Sequence, residues 1–191
     1  FKAIGEKYHI DPVVARILVN RDVGDDASIA AYLHPSKKDF GDAGLLQDMD
    51  KAIALLQKAI QQNTKIRIIG DYDIDGIQST YILHQGLLRV GADADYAIPD
   101  RIEDGYGVNI RLMERCVMDG IGLVITCDNG IAAAEAIAYA KKEGLTVIVT
   151  DHHEVPYELV GGKKEYHLPP ADAVIDPKRE DCAYPCKKLC G

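Results

Sequence analysis

Five short apolar runs, most of them separated by stretches of helical character, set the frame for this chain. They are Ile66-Arg67-Ile68-Ile69, Tyr96-Ala97-Ile98, Leu123-Val124-Ile125-Thr126, Val147-Ile148-Val149 and Ala173-Val174-Ile175. β-Branched residues dominate them, as a strand buried on both faces requires. Between them, Ile77 to Val90 carries helical spacing, and Asn109 caps a helix with Ile110, Met113 and Val117 on one side and Gly120 at its end. Ala132 to Glu143 is alanine-rich, with lysines in its last turn and Gly144 just past it. Strands joined by helices of this length pair in parallel. The predicted fold class is therefore α/β, an open, mainly parallel sheet with helices on both faces.

A different pattern precedes the sheet. Asp11-Pro12 opens a helix whose apolar positions are Val14, Ile17 and Leu18, a second covers Asp26 to Leu33, and Ser36 to Gly44 reads as a loop. Residues 1–48 are expected to form a small helical segment, and residues 49–191 the sheet domain. That domain opens with a helix marked by Ala52, Leu55, Leu56, Ala59 and Ile60. Because the chain stops at Leu189-Cys190-Gly191 with no tail or capping signal, the domain is expected to be incomplete at its C-terminus.

No apolar run approaches the ~20 residues of a membrane span, and no secretory signal opens the chain. Five cysteines, an odd number, suit free thiols, so the expected location is cytoplasmic. The formal net charge of −8 argues against a module that simply coats nucleic acid with basic residues. Two bound divalent cations would cancel half of that charge.

Ligands of open parallel sheets bind beyond the carboxyl ends of the strands. Four successive strand ends here are followed by Asp71-Tyr72-Asp73-Ile74-Asp75-Gly76, Pro99-Asp100-Arg101, Asp128-Asn129-Gly130 and Asp151-His152-His153. Clustered carboxylates repel one another unless protons or cations compensate. Oxygen donors with one or two imidazoles suit Mn²⁺ or Mg²⁺, and acids from separate strands can hold two ions for in-line phosphoryl displacement. The reaction class implied is phosphoester hydrolysis. Arg101, on a loop near such ions, would clamp a phosphate.

Each motif has a simpler reading. Asp-x-Asp-x-Asp-Gly opens like a calcium loop, but Ile82 stands where an EF-hand needs its twelfth-position acid. Strand-end aspartates commonly cap the next helix, and Arg101 could pair with Asp104 or Glu103. Cys182, Cys186 and Cys190 with His167 lack the tighter spacing of a zinc site. It is the convergence of several motifs on one sheet edge that favours metal.

The ordered set Gly70-Asp71-Tyr72-Asp73-Ile74-Asp75-Gly76, Ile98-Pro99-Asp100-Arg101, Gly105-Tyr106-Gly107, Asp128-Asn129-Gly130 and Asp151-His152-His153 resembles the DHH phosphoesterase superfamily. Within it, the Pro-Asp-Arg…Gly-Tyr-Gly segment is similar to the RecJ-like group of bacterial single-strand-specific DNA exonucleases. The resemblance implies metal ligands at Asp73, Asp75, Asp128 and His152, with Asp71 as a further ligand, and two ions, Mn²⁺ or Mg²⁺. It places His153 beside the scissile phosphate, Asp151 behind the histidines, and Arg101, Asn129 and Gly130 on the substrate. The implied activity is 5′→3′ hydrolysis of single-stranded DNA in repair and recombination. Alternatives within the superfamily are short oligonucleotides, cyclic dinucleotides or pyrophosphate; outside it, a non-catalytic fragment. A basic, aromatic-lined channel would favour the exonuclease, and a closed small pocket the alternatives. Ile69 departs from relatives that carry a metal-binding histidine there, and Asp71 is expected to compensate. The resemblance implies a fourth metal motif beyond Gly191.

Overall fold

The structure, a computed structural model, describes residues 1–100 and 107–191. The chain forms two compact units, Phe1–Asp42 and Ala43–Gly191. The first holds α1 (Lys2–Tyr8), α2 (Pro12–Asn20) and α3 (Asp26–Leu33). Asp11 caps α2 by accepting from Val13 N at 2.7 Å, and Asp25 caps α3 through Ser28 N at 3.0 Å. The first helix was not expected from the sequence. It closes on Gly5, where a Cβ would lie 2.9 Å from the Ile10 carbonyl, and Tyr8 Oη donates to Asp26 at 2.7 Å.

The second unit carries α4 (Met49–Gln61), β1 (Ile66–Ile69), α5 (Ile74–Arg89), β2 (Ala94–Ala97), α6 (Ile110–Met118), β3 (Leu123–Cys127), α7 (Ala134–Lys142), β4 (Thr146–Thr150), β5 (Tyr157–Val160), β6 (Lys163–Tyr166) and β7 (Ala173–Ile175). Strands β2-β1-β3-β4-β7 form one sheet, and every pairing in it is parallel. The expected α/β class is therefore observed. Period-two alternation sends Ile66, Ile68, Leu123, Ile125 and Ile148 into a core under α4 and α5, where Ala52, Ala59 and Leu87 meet them. The intervening Ile69, Val124, Val147, Val149 and Val174 point the other way, against Leu112, Met113, Ala136, Ile137 and Ala140 of α6 and α7. Burial on both faces explains why the strands read as continuous apolar runs.

Two boundaries differ from the sequence reading for physical reasons. Strand β2 sits two residues earlier because Ile66 pairs with Ala94. Helix α5 begins at Ile74 rather than Ile77 because Asp73 supplies its N-cap. Strands β5 and β6 were not expected at all. They form an antiparallel hairpin around Gly161-Gly162, whose φ values of 60° and 80° are left-handed. The sequence reads Gly161-Gly162-Lys163-Lys164 as a surface loop tip; the glycines do form the tip, but Lys163 and Lys164 belong to the returning strand. Among the described residues, no helix is long and apolar enough to cross a membrane.

Candidate metal centre

Helix α5 is packed so tightly onto the end of β1 that the acidic loop between them has little conformational choice. A Cβ on Gly76 would fall 2.6 Å from the backbone N, backbone O and Cβ of Asp71, so only glycine allows this approach. Asp73 caps the helix, accepting from Gly76 N at 2.9 Å. That bond leads the influences holding its carboxyl below the ordinary range, against a smaller opposing effect of burial. Asp71 is buried, with Oδ1 accepting from Tyr72 N at 2.8 Å.

The β3 loop is tied to the β1 loop by side chains. Asn129 Nδ2 donates to the Gly70 carbonyl at 2.8 Å, and Thr126 Oγ1 donates to the Asn129 carbonyl at 2.8 Å. Asn129 Oδ1 is buried with no partner among the described residues. Between these anchors Asp128 adopts a left-handed φ of 59° and is only 2% exposed. A non-glycine residue held there signals a constraint imposed by its surroundings.

Beyond β4, Asp151 organises both histidines. Its Oδ1 accepts from His152 N at 2.7 Å, His153 N at 3.1 Å and His153 Nδ1 at 2.7 Å, while Oδ2 accepts from Ile131 N at 2.9 Å. The second imidazole is thus oriented by a carboxylate, and its Nε2 is left as the available nitrogen. His152 Nε2 lies 2.7 Å from Asp128 Oδ1 and 3.6 Å from Asp75 Oδ2. Asp75 Oδ2 also accepts from Gly191 N at 2.9 Å.

Donor atoms of Asp71, Asp73 and Asp128 lie within 4.8 Å of one another, and so do those of Asp128, His152 and His153. Asp128 belongs to both groups. Burial pushes its carboxyl up to about 6, Asp75 and Asp73 add repulsion, and the His152 hydrogen bond works in the opposite direction. Burial lowers His153, but the hydrogen bond and charge of Asp151, with Asp128 behind, more than offset this and raise it. Such a crowd of half-desolvated acids is what a divalent cation relieves, and carboxylate oxygens with imidazole nitrogens fit Mn²⁺ or Mg²⁺.

The structure thus brings together Asp71, Asp73, Asp75, Asp128, Asp151, His152 and His153. Asn129 and Gly130 line a cavity of ≈ 290 Å³ that also touches Asp151 and His153. Arg101 lies outside the described residues. The sequence reading omitted one residue, Asp176. It follows β7 and is fully buried, with no partner for Oδ2 among the described residues. Burial and then Asp151's charge push it up to about 6, against the pull of Lys178 N. The signal was available, since Asp176 follows a strand end as the other acids do.

Comparison with known proteins decides the family. The model for the DHH family, N-terminal domain, matches residues 65–191. The chain belongs to the DHH family. Among DHH relatives, the single-stranded-DNA-specific exonuclease RecJ of Bacillus subtilis is 40% identical over 100% of this chain and 23% of its own length. RecJ of Escherichia coli is 34% identical over 95% of this chain and 30% of its own length. The chain therefore spans less than a third of these relatives. A crystal structure of RecJ bound to manganese superposes with a TM-score of 0.61 at 35% identity, covering 71% of this chain and 32% of that one. RecJ of Thermus thermophilus in complex with Mn²⁺ gives a TM-score of 0.58 at 27% identity, covering 91% of this chain and 25% of that one.

Proposed function

We propose that this chain is the metal-holding part of a 5′→3′ exonuclease for single-stranded DNA. One observation carries the reading: Asp128, buried and strained, is shared by two groups of potential ligands on the same sheet edge. A carboxylate with two oxygens suits a bridge between neighbouring ions. Asp71, Asp73 and Asp128 would hold one Mn²⁺ or Mg²⁺, and Asp128 and His152 the other, with Asp75 beside His152. Two ions so held would supply activated water and electrostatic shielding for a phosphodiester.

The remaining roles belong to the chain's own residues. Asp151 fixes His153 through Nδ1, which leaves Nε2 to hydrogen-bond a phosphate oxygen, and the Asp151 hydrogen bond and charge raise the imidazole's basicity above its ordinary value. Asn129 spends its amide donor on Gly70, which locks the Asp128 turn against the acidic loop. Arg101 remains our candidate for the substrate phosphate, and residues 49–191 our candidate catalytic domain behind a helical preface of residues 1–48. The names of the RecJ relatives support the choice of substrate.

The test is Mn²⁺ binding by electron paramagnetic resonance, with release of mononucleotides from 5′-labelled single-stranded DNA. Two ions per chain are expected, and both binding at the bridge and hydrolysis are lost in Asp128→Ala. A chain that binds no Mn²⁺, or hydrolysis that survives Asp128→Ala, would overturn the proposal.

A further inference from the structure

The β5–β6 hairpin leaves the sheet immediately after the histidine pair, and none of its eight strand residues is buried. A two-stranded ribbon is marginal in water without packing support. Nevertheless this one exposes Tyr157, Leu159, Val160 and Tyr166. Its register places Tyr157 opposite Tyr166 and Leu159 opposite Lys164, with Glu158 opposite Glu165 and Val160 opposite Lys163. Strand alternation therefore segregates the two faces. One carries both carboxylates. The other carries two tyrosines, a leucine and Lys164, with no acid.

On that second face the rings of Tyr157 and Tyr166 meet edge to face, with centroids 5.7 Å apart. The Lys164 ammonium sits 4.0 Å from the Tyr157 centroid and 6.0 Å from that of Tyr166. Among the described residues, no carboxylate lies within ion-pair distance of Lys164, and the nearby pairs instead join His167 to Glu158 and Lys178 to Glu154. Tyr157 follows His153 by four residues, so its Cα lies at most about 14 Å from that of the histidine. Exposed tyrosine rings beside a cation that no described carboxylate neutralises fit a base and its phosphate. A purely apolar protein contact would have no use for the ammonium, and an acidic strand face turned away removes the repulsion a polyanion would meet.

We infer that the tyrosine–lysine face of the hairpin is a stacking platform for single-stranded nucleic acid, holding the strand a few nucleotides from the metal centre. The inference rests on the proposed exonuclease function and specifies where that strand runs. Tyr157 and Tyr166 present rings to bases, and Lys164 neutralises a neighbouring phosphate.

The test uses the whole chain and a fluorescein-labelled oligothymidine, with affinity read by anisotropy at low salt in chelator, so that no strand is cut. Tyr157→Leu and Lys164→Gln are each expected to weaken binding by about fivefold or more, the lower end of what one stacked base contributes. Tyr157→Phe keeps the ring and should retain wild-type affinity. Circular dichroism identifies any variant that has lost its fold; Tyr157→Phe and Lys164→Gln leave the ribbon's apolar pairings intact and keep the comparison informative. Mn²⁺ binding, measured separately, should be the same in all variants. Unchanged DNA affinity in Tyr157→Leu and Lys164→Gln would overturn the platform while leaving the metal centre standing. Loss of self-association in sedimentation, with DNA affinity unmoved, would instead make the face a contact between copies of the chain. Absence of Mn²⁺ binding in the wild type would count against the exonuclease reading itself.

Discussion

Asp128→Asn should make the metal-free chain more stable while removing a proposed metal ligand. The substitution keeps the shape and still offers a hydrogen bond to His152 Nε2, now 2.7 Å from Asp128 Oδ1. It removes a buried charge that Asp75 and Asp73 repel. The carboxyl rises from 3.8 to about 6 on folding, which at about 1.36 kcal/mol per unit costs the ionised folded state about 3 kcal/mol. The sign follows from proton linkage. Below about pH 4 the group is neutral in both states and contributes nothing; as pH rises from there through about 6, the unfolded chain loses its proton first and stability falls. The advantage of Asp128→Asn should therefore be absent near pH 4, grow between those values, and stay constant above. Urea unfolding in chelator across that range measures it. Adding Mn²⁺ at about a thousand times its dissociation constant should reverse the order, because a ligand bound only to the folded wild type then adds about 4.1 kcal/mol. If Asp128→Asn is less stable than wild type in chelator at pH 8, or gains as much from Mn²⁺, the electrostatic account is wrong.

Three further outcomes test other parts of the site. Gly76→Ala should cost about 1–3 kcal/mol or more in thermal unfolding, because its methyl meets Asp71 backbone at 2.6 Å, whereas Gly86→Ala, with open space around it in the same helix, should gain about 1 kcal/mol. Asp151→Asn should weaken Mn²⁺ binding about 10–100-fold in titration, since the buried carboxylate accepts four N–H groups and an amide cannot. Burial opposes ionisation of Asp48, but Arg179 at 2.8 Å and Val174 N hold it below its ordinary value. That stabilisation should be complete above about pH 4 and disappear as pH falls through the depressed folded value, and Arg179→Met should flatten this part of the acid-unfolding curve.

The sheet was legible because its strands are buried on both sides. Ile66, Val124 and Val149 meet side chains on one face or the other, so the runs had to be apolar throughout. The strand-end acids were legible for a related reason: a carboxylate directly after such a run has nowhere to go but the sheet edge. Other features depend on geometry that spacing does not encode. Helix α5 starts at Ile74 because Asp73 caps it, and the acidic triplet to which Asp73 belongs hid the start signal. The hairpin escaped notice because its strands are only four residues long and Val160 and Lys164 break the apolar alternation. Asp176 was overlooked because, unlike Asp151, no second polar residue of the site follows it in sequence, and only the pairing of Thr150 with Ile175 brings it alongside.

The two candidate ligand groups draw on positions from Asp71 to His153, contributed by three strands that are neighbours only once β1, β3 and β4 have zipped together. No short stretch of the unfolded polypeptide can chelate well, so cations would arrive after the sheet is assembled rather than nucleate it. Occupancy would then act as a clasp across the sheet's carboxyl rim, slowing escape from the native state without hastening its formation.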